Sequence, residues 1–135
     1  MADRANHYER AFAAYLRERG VSCIAVDESR RSAFDEQPVK SPDFVVVAGF
    51  QRVLLVDVKG RRWMGRRAGE RWATADDISS LLRWQIAVGQ GARALLVYVY
   101  EIVKDDPPAV LVDTFWHERR RYACVGIAVE DYRAR

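Results

Sequence analysis

Asp57 and Lys59 flank Val58 at the end of an apolar run, Val53-Leu54-Leu55-Val56. In an extended strand, residues two apart share a face, about 7 Å apart at their Cα atoms, so this carboxylate and this ammonium point together. Charged side chains are poor strand formers, and two of them here call for a reason. A second carboxylate, Asp43, follows Pro42 and opens another apolar run, Phe44-Val45-Val46-Val47, joined to the first through Ala48-Gly49-Phe50-Gln51. An antiparallel hairpin sets Asp43 opposite Val56 or Asp57, according to its turn. A three-residue turn of Gly49, Phe50 and Gln51 sets Asp43 opposite Asp57, on one face. Two carboxylates and an ammonium then converge at one sheet end, which is a place to hold a divalent metal and a phosphate. The plain structural alternative is an Asp57–Lys59 ion pair capping a sheet edge.

Two further polar residues sit on helical patterns. Glu9 lies beside Tyr8 and one turn before Phe12, so it borders the buried face of its helix; a glutamate paired with a basic neighbour in solvent explains it equally simply. Gln85 interrupts an otherwise apolar stripe, and a buried amide must be hydrogen-bonded. It either anchors its helix to backbone or reaches into a polar site. Asp27, Glu28 and Asp113 read as ordinary loop and edge-strand acids. Between Lys59 and Trp72 the chain carries Lys59, Arg61, Arg62, Arg66, Arg67 and Arg71 against one acid, Glu70, with Trp63 and Trp72 interleaved. Such segments contact phosphates and stack on bases, and a solvated basic loop is the bland alternative.

The elements that must position these groups follow from periodicity and punctuation. Tyr8, Phe12, Tyr15 and Leu16 have helical spacing within residues 3–19, and Gly20 is a stop. Residues 21–26 read as a short strand, 27–41 as polar and irregular, and 60–73 as the basic loop or a distorted hairpin. Thr74 with Asp77 three residues on is a capping-box variant. The helix it opens should present Ile78, Leu81, Leu82, Gln85 and Ile86 on one face and end near Gly89 or Gly91. Residues 94–100 are a strongly apolar strand. Residues 109–115 and 122–128 form an appended C-terminal hairpin, with 117–121 between its strands. The whole is an α/β mixed sheet with helices packed on it.

Composition narrows the field. The 135 residues suit one domain with a real core, half of them apolar and 30% charged, so the chain reads as folded. The net charge of +3 weakly favours an anionic partner. Cys23 and Cys124 lack zinc-like spacing and read as reduced, buried thiols of a cytoplasmic protein. His7 and His117 are the only histidines. With them no Ser-His-Asp or Cys-His constellation is available, and no glycine-rich phosphate loop occurs. No run is long enough to span a membrane, and the N-terminus is no signal peptide.

Glu9 on a helix, Pro42-Asp43, Asp57-Val58-Lys59 and Gln85 on a later helix together resemble the PD-(D/E)xK nuclease superfamily. The likeness spans residues 8–100, and the compact size and helical glutamate look most like its archaeal Holliday-junction-resolvase branch. The resemblance implies a restriction-endonuclease-like αβββαβ core and a metal-dependent DNA endonuclease. On this implication Asp43, Asp57 and the carbonyl of Val58 bind Mg²⁺ or Mn²⁺, and Glu9 completes a second metal position. Lys59 orients or helps deprotonate the attacking water, and Gln85 orients that water, Lys59 or a phosphate. Arg61, Arg62, Arg66, Arg67 and Trp63 track the nucleic acid, DNA first, with RNA left open. Asp57 stands where most members carry glutamate. A homodimer through the terminal hairpin is implied by analogy alone. The competing class is a non-catalytic nucleic-acid-binding or interaction module on the same fold.

Overall fold

The computed structural model describes residues 6–26, 40–64, 73–104 and 114–133. Arg66, Arg67, Arg71, Trp72 and nearly all of the 27–41 segment therefore lie outside the described residues. The elements run α1 (His7–Glu18), β1 (Cys23–Ala25), β2 (Phe44–Gly49), β3 (Arg52–Trp63), α2 (Ala75–Val88), β4 (Ala92–Ile102), β5 (Thr114–His117), β6 (Arg120–Ala128) and α3 (Val129–Arg133). From α1 to β4 this is the expected αβββαβ order. Six strands are hydrogen-bonded in the order β1-β2-β3-β4-β6-β5. The C-terminal hairpin is thus part of the one sheet rather than an appendage. No helix among the described residues is long and apolar enough to cross a membrane.

Two compact units divide the chain, and the residues of β3, β4 and β6 are shared between them. Residues 21–57, 73–96 and 127–135 make one unit. Its β1 and β2 pair antiparallel through Ile24↔Val45, and β2 pairs with β3 through Phe44↔Val56, Val45↔Leu55 and Val46↔Leu54. That register is the one a three-residue turn would give, reached differently. Gly49 pairs with Arg52 around a two-residue turn, Phe50-Gln51, and an irregularity between Val47 and Gly49 absorbs one residue. Gln51 adopts φ 58°, and its carbonyl presses on Gly91, where a Cβ would lie 2.1 Å from the oxygen. Only glycine fits there, at φ +86°.

Helix α2 begins with the expected capping box. The Asp77 N–H donates to Thr74 Oγ1 at 3.0 Å, and the Thr74 N–H donates to Asp77 Oδ2 at 3.2 Å. It ends at Gly89. Its buried face overlaps the expected apolar stripe only in part, for Leu81 is buried and Ile78, Leu82 and Gln85 are half-buried. Asp77, Ser80 and Leu81 are buried, whereas Ile86 is 78% exposed. The helix is rolled so that its polar first turn faces inward, which hydropathy cannot anticipate.

Residues 1–20, 58–72 and 97–126 make the other unit. Here β3 continues past Lys59 to Trp63, so residues 60–63 are strand and not loop. Asp57 and Lys59 are accordingly mid-strand instead of at a strand end. Helix α1 lies directly against this strand. A Cβ on Gly60 would sit 2.1 Å from Tyr8 Cδ2, so the missing side chain is what lets the ring approach. Tyr15 packs on Phe115 at 4.5 Å, and Phe115 stacks on Tyr122 at 5.6 Å. The run Val97-Tyr98-Val99-Tyr100 is buried at every position, as expected of a strand covered on both faces. Hairpin β5–β6 closes on Glu118-Arg119 with His117↔Arg120 as its last pair, tighter than the five-residue connection expected.

Candidate functional site

Asp43 and Asp57 are both buried, at 6% and 3% exposure. Asp43 stands immediately before β2, and its N–H donates to the Val56 carbonyl at 2.8 Å. The ladder ends with Phe44 paired to Val56, and Asp43 is bonded to that same Val56, the residue before Asp57. Of the two positions left open by the sequence, the backbone bond places Asp43 at Val56.

A third carboxylate and a cation complete this cluster, and sequence reasoning missed both. Lys40 Nζ donates to Asp77 Oδ1 at 2.7 Å and lies 4.0 Å from Asp57 Oδ1. Its own backbone is tethered too, because Trp84 Nε1 donates to the Lys40 carbonyl at 3.1 Å. Burial pulls the Lys40 pKa down, but the hydrogen bond to Asp77 and the charges of Asp57, Asp77 and Asp43 outweigh it and leave the pKa raised. Asp77 therefore works twice, capping α2 with one oxygen and holding Lys40 with the other. The capping box was legible; its second role was not. The only sequence signal for Lys40 was its place two residues before Pro42-Asp43.

The remaining expected residues have local partners. Glu9 occupies the first turn of α1, where its N–H donates to Asn6 Oδ1 at 3.0 Å and its Oε2 accepts from Asn6 Nδ2 at 2.7 Å. Gln85 takes the anchoring role of the two open to it. Its Oε1 accepts from the Ala94 N–H at 2.7 Å, tying α2 to β4, and its Nε2 donates to Glu130 at 3.2 Å. Lys59 is half-buried, the next alternate residue after Asp57 on β3. Arg61 donates to the Gly60 carbonyl at 2.8 Å and leans over the Tyr98 ring at 5.9 Å, while Arg62 is exposed. Trp63 overturns its expectation: it is 6% exposed and set edge-on to Tyr100 at 5.6 Å. A buried indole cannot stack on a base, so Trp63 leaves the nucleic-acid set.

His7, read as having no ligand-like arrangement, turns out to bridge α1 and the hairpin. Its Nδ1 is 2.9 Å from Tyr122 Oη, and its Nε2 is 3.9 Å from Glu101. Burial and the nearby Arg120 guanidinium lower its pKa, with Glu101 opposing them. Cys23 and Cys124 are free thiols, each partly covered.

No family model matches the chain, and no curated protein matches it. Among solved structures it is similar to that of Archaeoglobus fulgidus Hjc, a Holliday junction resolvase from an archaeal hyperthermophile, at 18% identity and a TM-score of 0.49, over 93% of this chain and 96% of that one.

Proposed function

We propose that this chain is a metal-dependent phosphodiester hydrolase, a DNA endonuclease, working through Asp43, Asp57 and Lys59. The observation that carries this reading is the burial of Asp43 and Asp57, at 6% and 3% exposure, with Asp43 bonded to Val56, the residue before Asp57. Buried carboxylates in one place repel and require cationic compensation. Lys40 supplies part of it, but its ammonium is held by Asp77, 2.7 Å away, and stands 4.0 Å from Asp57.

Oxygen donors of this kind suit Mg²⁺ or Mn²⁺, which keep several waters instead of demanding a closed protein cage. Among the described residues no group of three or more His, Cys, Asp or Glu is placed to hold a metal ion. The holding set we propose is the two aspartates and the Val58 carbonyl, the set the family resemblance implies, made of oxygen donors that hard cations accept. Such an ion, when bound, supplies an activated water and offsets phosphate charge. Lys59 adds a fixed positive charge toward the phosphate oxygens, where charge grows in the transition state. Arg62, exposed on the same strand, and Arg66 and Arg67 beyond it supply backbone-directed cations, so binding should weaken steeply with salt. Glu9 and Gln85 hold the hydrogen bonds given above, and the proposal does not depend on either.

The test is cleavage of labelled plasmid, single-stranded and four-way-junction DNA with Mg²⁺ or Mn²⁺, beside EDTA. Asp57→Ala and Lys59→Ala should abolish cutting, with Asp57→Ala binding DNA as well as or better than the parent. Cutting by Asp57→Ala at the parent rate would sink the assignment. Tight, salt-sensitive binding without any metal-dependent cutting would leave the non-catalytic module.

A further inference from the structure

The tip of hairpin β5–β6 departs from what its turn requires. Two-residue hairpin turns with both central residues at positive φ favour Asn-Gly or Asp-Gly. Here the positions are Glu118 and Arg119, at φ 49° and 70°. Non-glycine residues held there are uncommon, and such outliers gather at functional places. The second of them opens Arg119-Arg120-Arg121, a basic run that the proposed chemistry does not use.

The two faces of this hairpin have different chemistry. Phe115 and Tyr122 turn toward Tyr15 of α1. On alternate positions, Trp116 pairs with Arg121 across the ladder and is 67% exposed. An indole this open, on the edge strand of the sheet, is not contributing to the core. Beside it is an open groove of about 510 Å³, lined by Glu101, Lys104, Trp116, Arg119, Arg120 and Arg121 among others. Among the described residues Glu101 is the one acid of that lining, and it already serves Arg120 at 3.8 Å and His7 at 3.9 Å. The surface left is basic with a flat aromatic plate in it.

We propose that this groove binds unpaired nucleotides of a nucleic acid, with a base stacked on Trp116 and flanking phosphates met by Lys104, Arg119 and Arg121. A cationic track with an exposed aromatic ring is the physical recipe for single-strand binding, since every base has a π-face and every phosphate a charge. An acidic protein segment would use the cations and leave the indole without a purpose. The inference goes beyond the hydrolase reading and stands or falls without it, because neither Asp43 nor Asp57 is involved.

The experiment is binding of the full chain to a labelled oligo-dT and to a duplex of equal length, in EDTA, across a salt series. Trp116→Ala should weaken single-strand binding roughly 5- to 150-fold, the range for loss of one stacked base. It should leave duplex binding nearly unchanged, and Trp116→Phe should recover part of the loss. The Arg119→Gln/Arg121→Gln double variant should flatten the slope of log K against log salt by about 1.4, two phosphate contacts on a single strand. Parent-like binding by Trp116→Ala overturns the proposal, as does an equal loss for duplex and single strand. So does light scattering that shows Trp116→Ala converting a parental dimer to monomer with affinity per chain unchanged, which would make this face a contact between copies. The EDTA condition separates the two readings. A parent that binds through Trp116 but never cuts keeps this surface and loses the hydrolase.

Discussion

Replacing Gly60 by alanine should reverse its effect on stability depending on whether Tyr8 is present. Within a strand, glycine is less favourable than alanine by roughly 0.5–1 kcal/mol, so with open space around it Gly60→Ala would stabilise the protein. Space is absent. A Cβ at this position would lie 2.1, 2.3 and 2.6 Å from Tyr8 Cδ2, Cγ and Cε2. Cγ is the root of the ring, so a change of ring torsion cannot relieve the overlap. The ring is also hemmed in by His7, with centroids 4.0 Å apart, and by Tyr122 at 6.4 Å. Helix α1 or the strand must shift, and overpacking of this kind costs about 1–3 kcal/mol. In the parent, Gly60→Ala should therefore destabilise by about 1–3 kcal/mol, lowering Tm by several degrees for a chain of this size. In a Tyr8→Ala background the same change should be neutral or stabilising by about 0.5–1 kcal/mol. The coupling between the two sites would be about 1–4 kcal/mol. Urea denaturation of the four proteins, followed by far-UV circular dichroism, measures all the terms. A Gly60→Ala protein as stable as the parent, or one whose cost is the same without the Tyr8 ring, would refute the seating of α1 on β3.

Lys40→Met should cost about 1–2 kcal/mol, the loss of a charged hydrogen bond to Asp77 discounted because the lysine is 44% exposed. The cost should shrink in an Asp77→Asn background, and additive losses in chemical denaturation would contradict the pairing. His7 has a folded-state pKa below its ordinary 6.5, so protons bind the unfolded chain first. Its contribution to stability is complete above pH 6.5 and is lost as pH falls through the lowered folded value. His7→Gln should flatten that part of the stability–pH curve, and identical curves for the two proteins would contradict the burial of the ring as a neutral base. Burial pushes the Cys124 thiol up to about 12 from 9.0, so its thiolate is about a thousandfold scarcer at pH 8. Mass-mapped alkylation of the native protein should find Cys124 far slower than in urea; equal rates would place it in solvent.

Much of the frame was legible because local chemistry specified it. The Thr74–Asp77 box and Gly89 bracket α2 by satisfying backbone groups within a few residues. The runs on either side of Gly49 could pair in only a few registers, and the observed one brings Asp43 to Val56, the residue before Asp57. Asp57 and Lys59 on one strand needed only the two-residue repeat. What the sequence determined, then, was the order of elements and the acids at the head of the hairpin, since these depend on neighbours in the chain. Tertiary structure decided the rest. Lys40 meets Asp77 across 37 residues and His7 meets Tyr122 across 115, pairings no local periodicity encodes. Asp77, turned inward to a lysine, joined Leu81 on the buried face of α2 while Ile86 was left outside, and Trp63 was claimed by the core beside Tyr100. Side chains that carry both apolar bulk and polar atoms serve either surface or interior, and only the partners that fold against them choose.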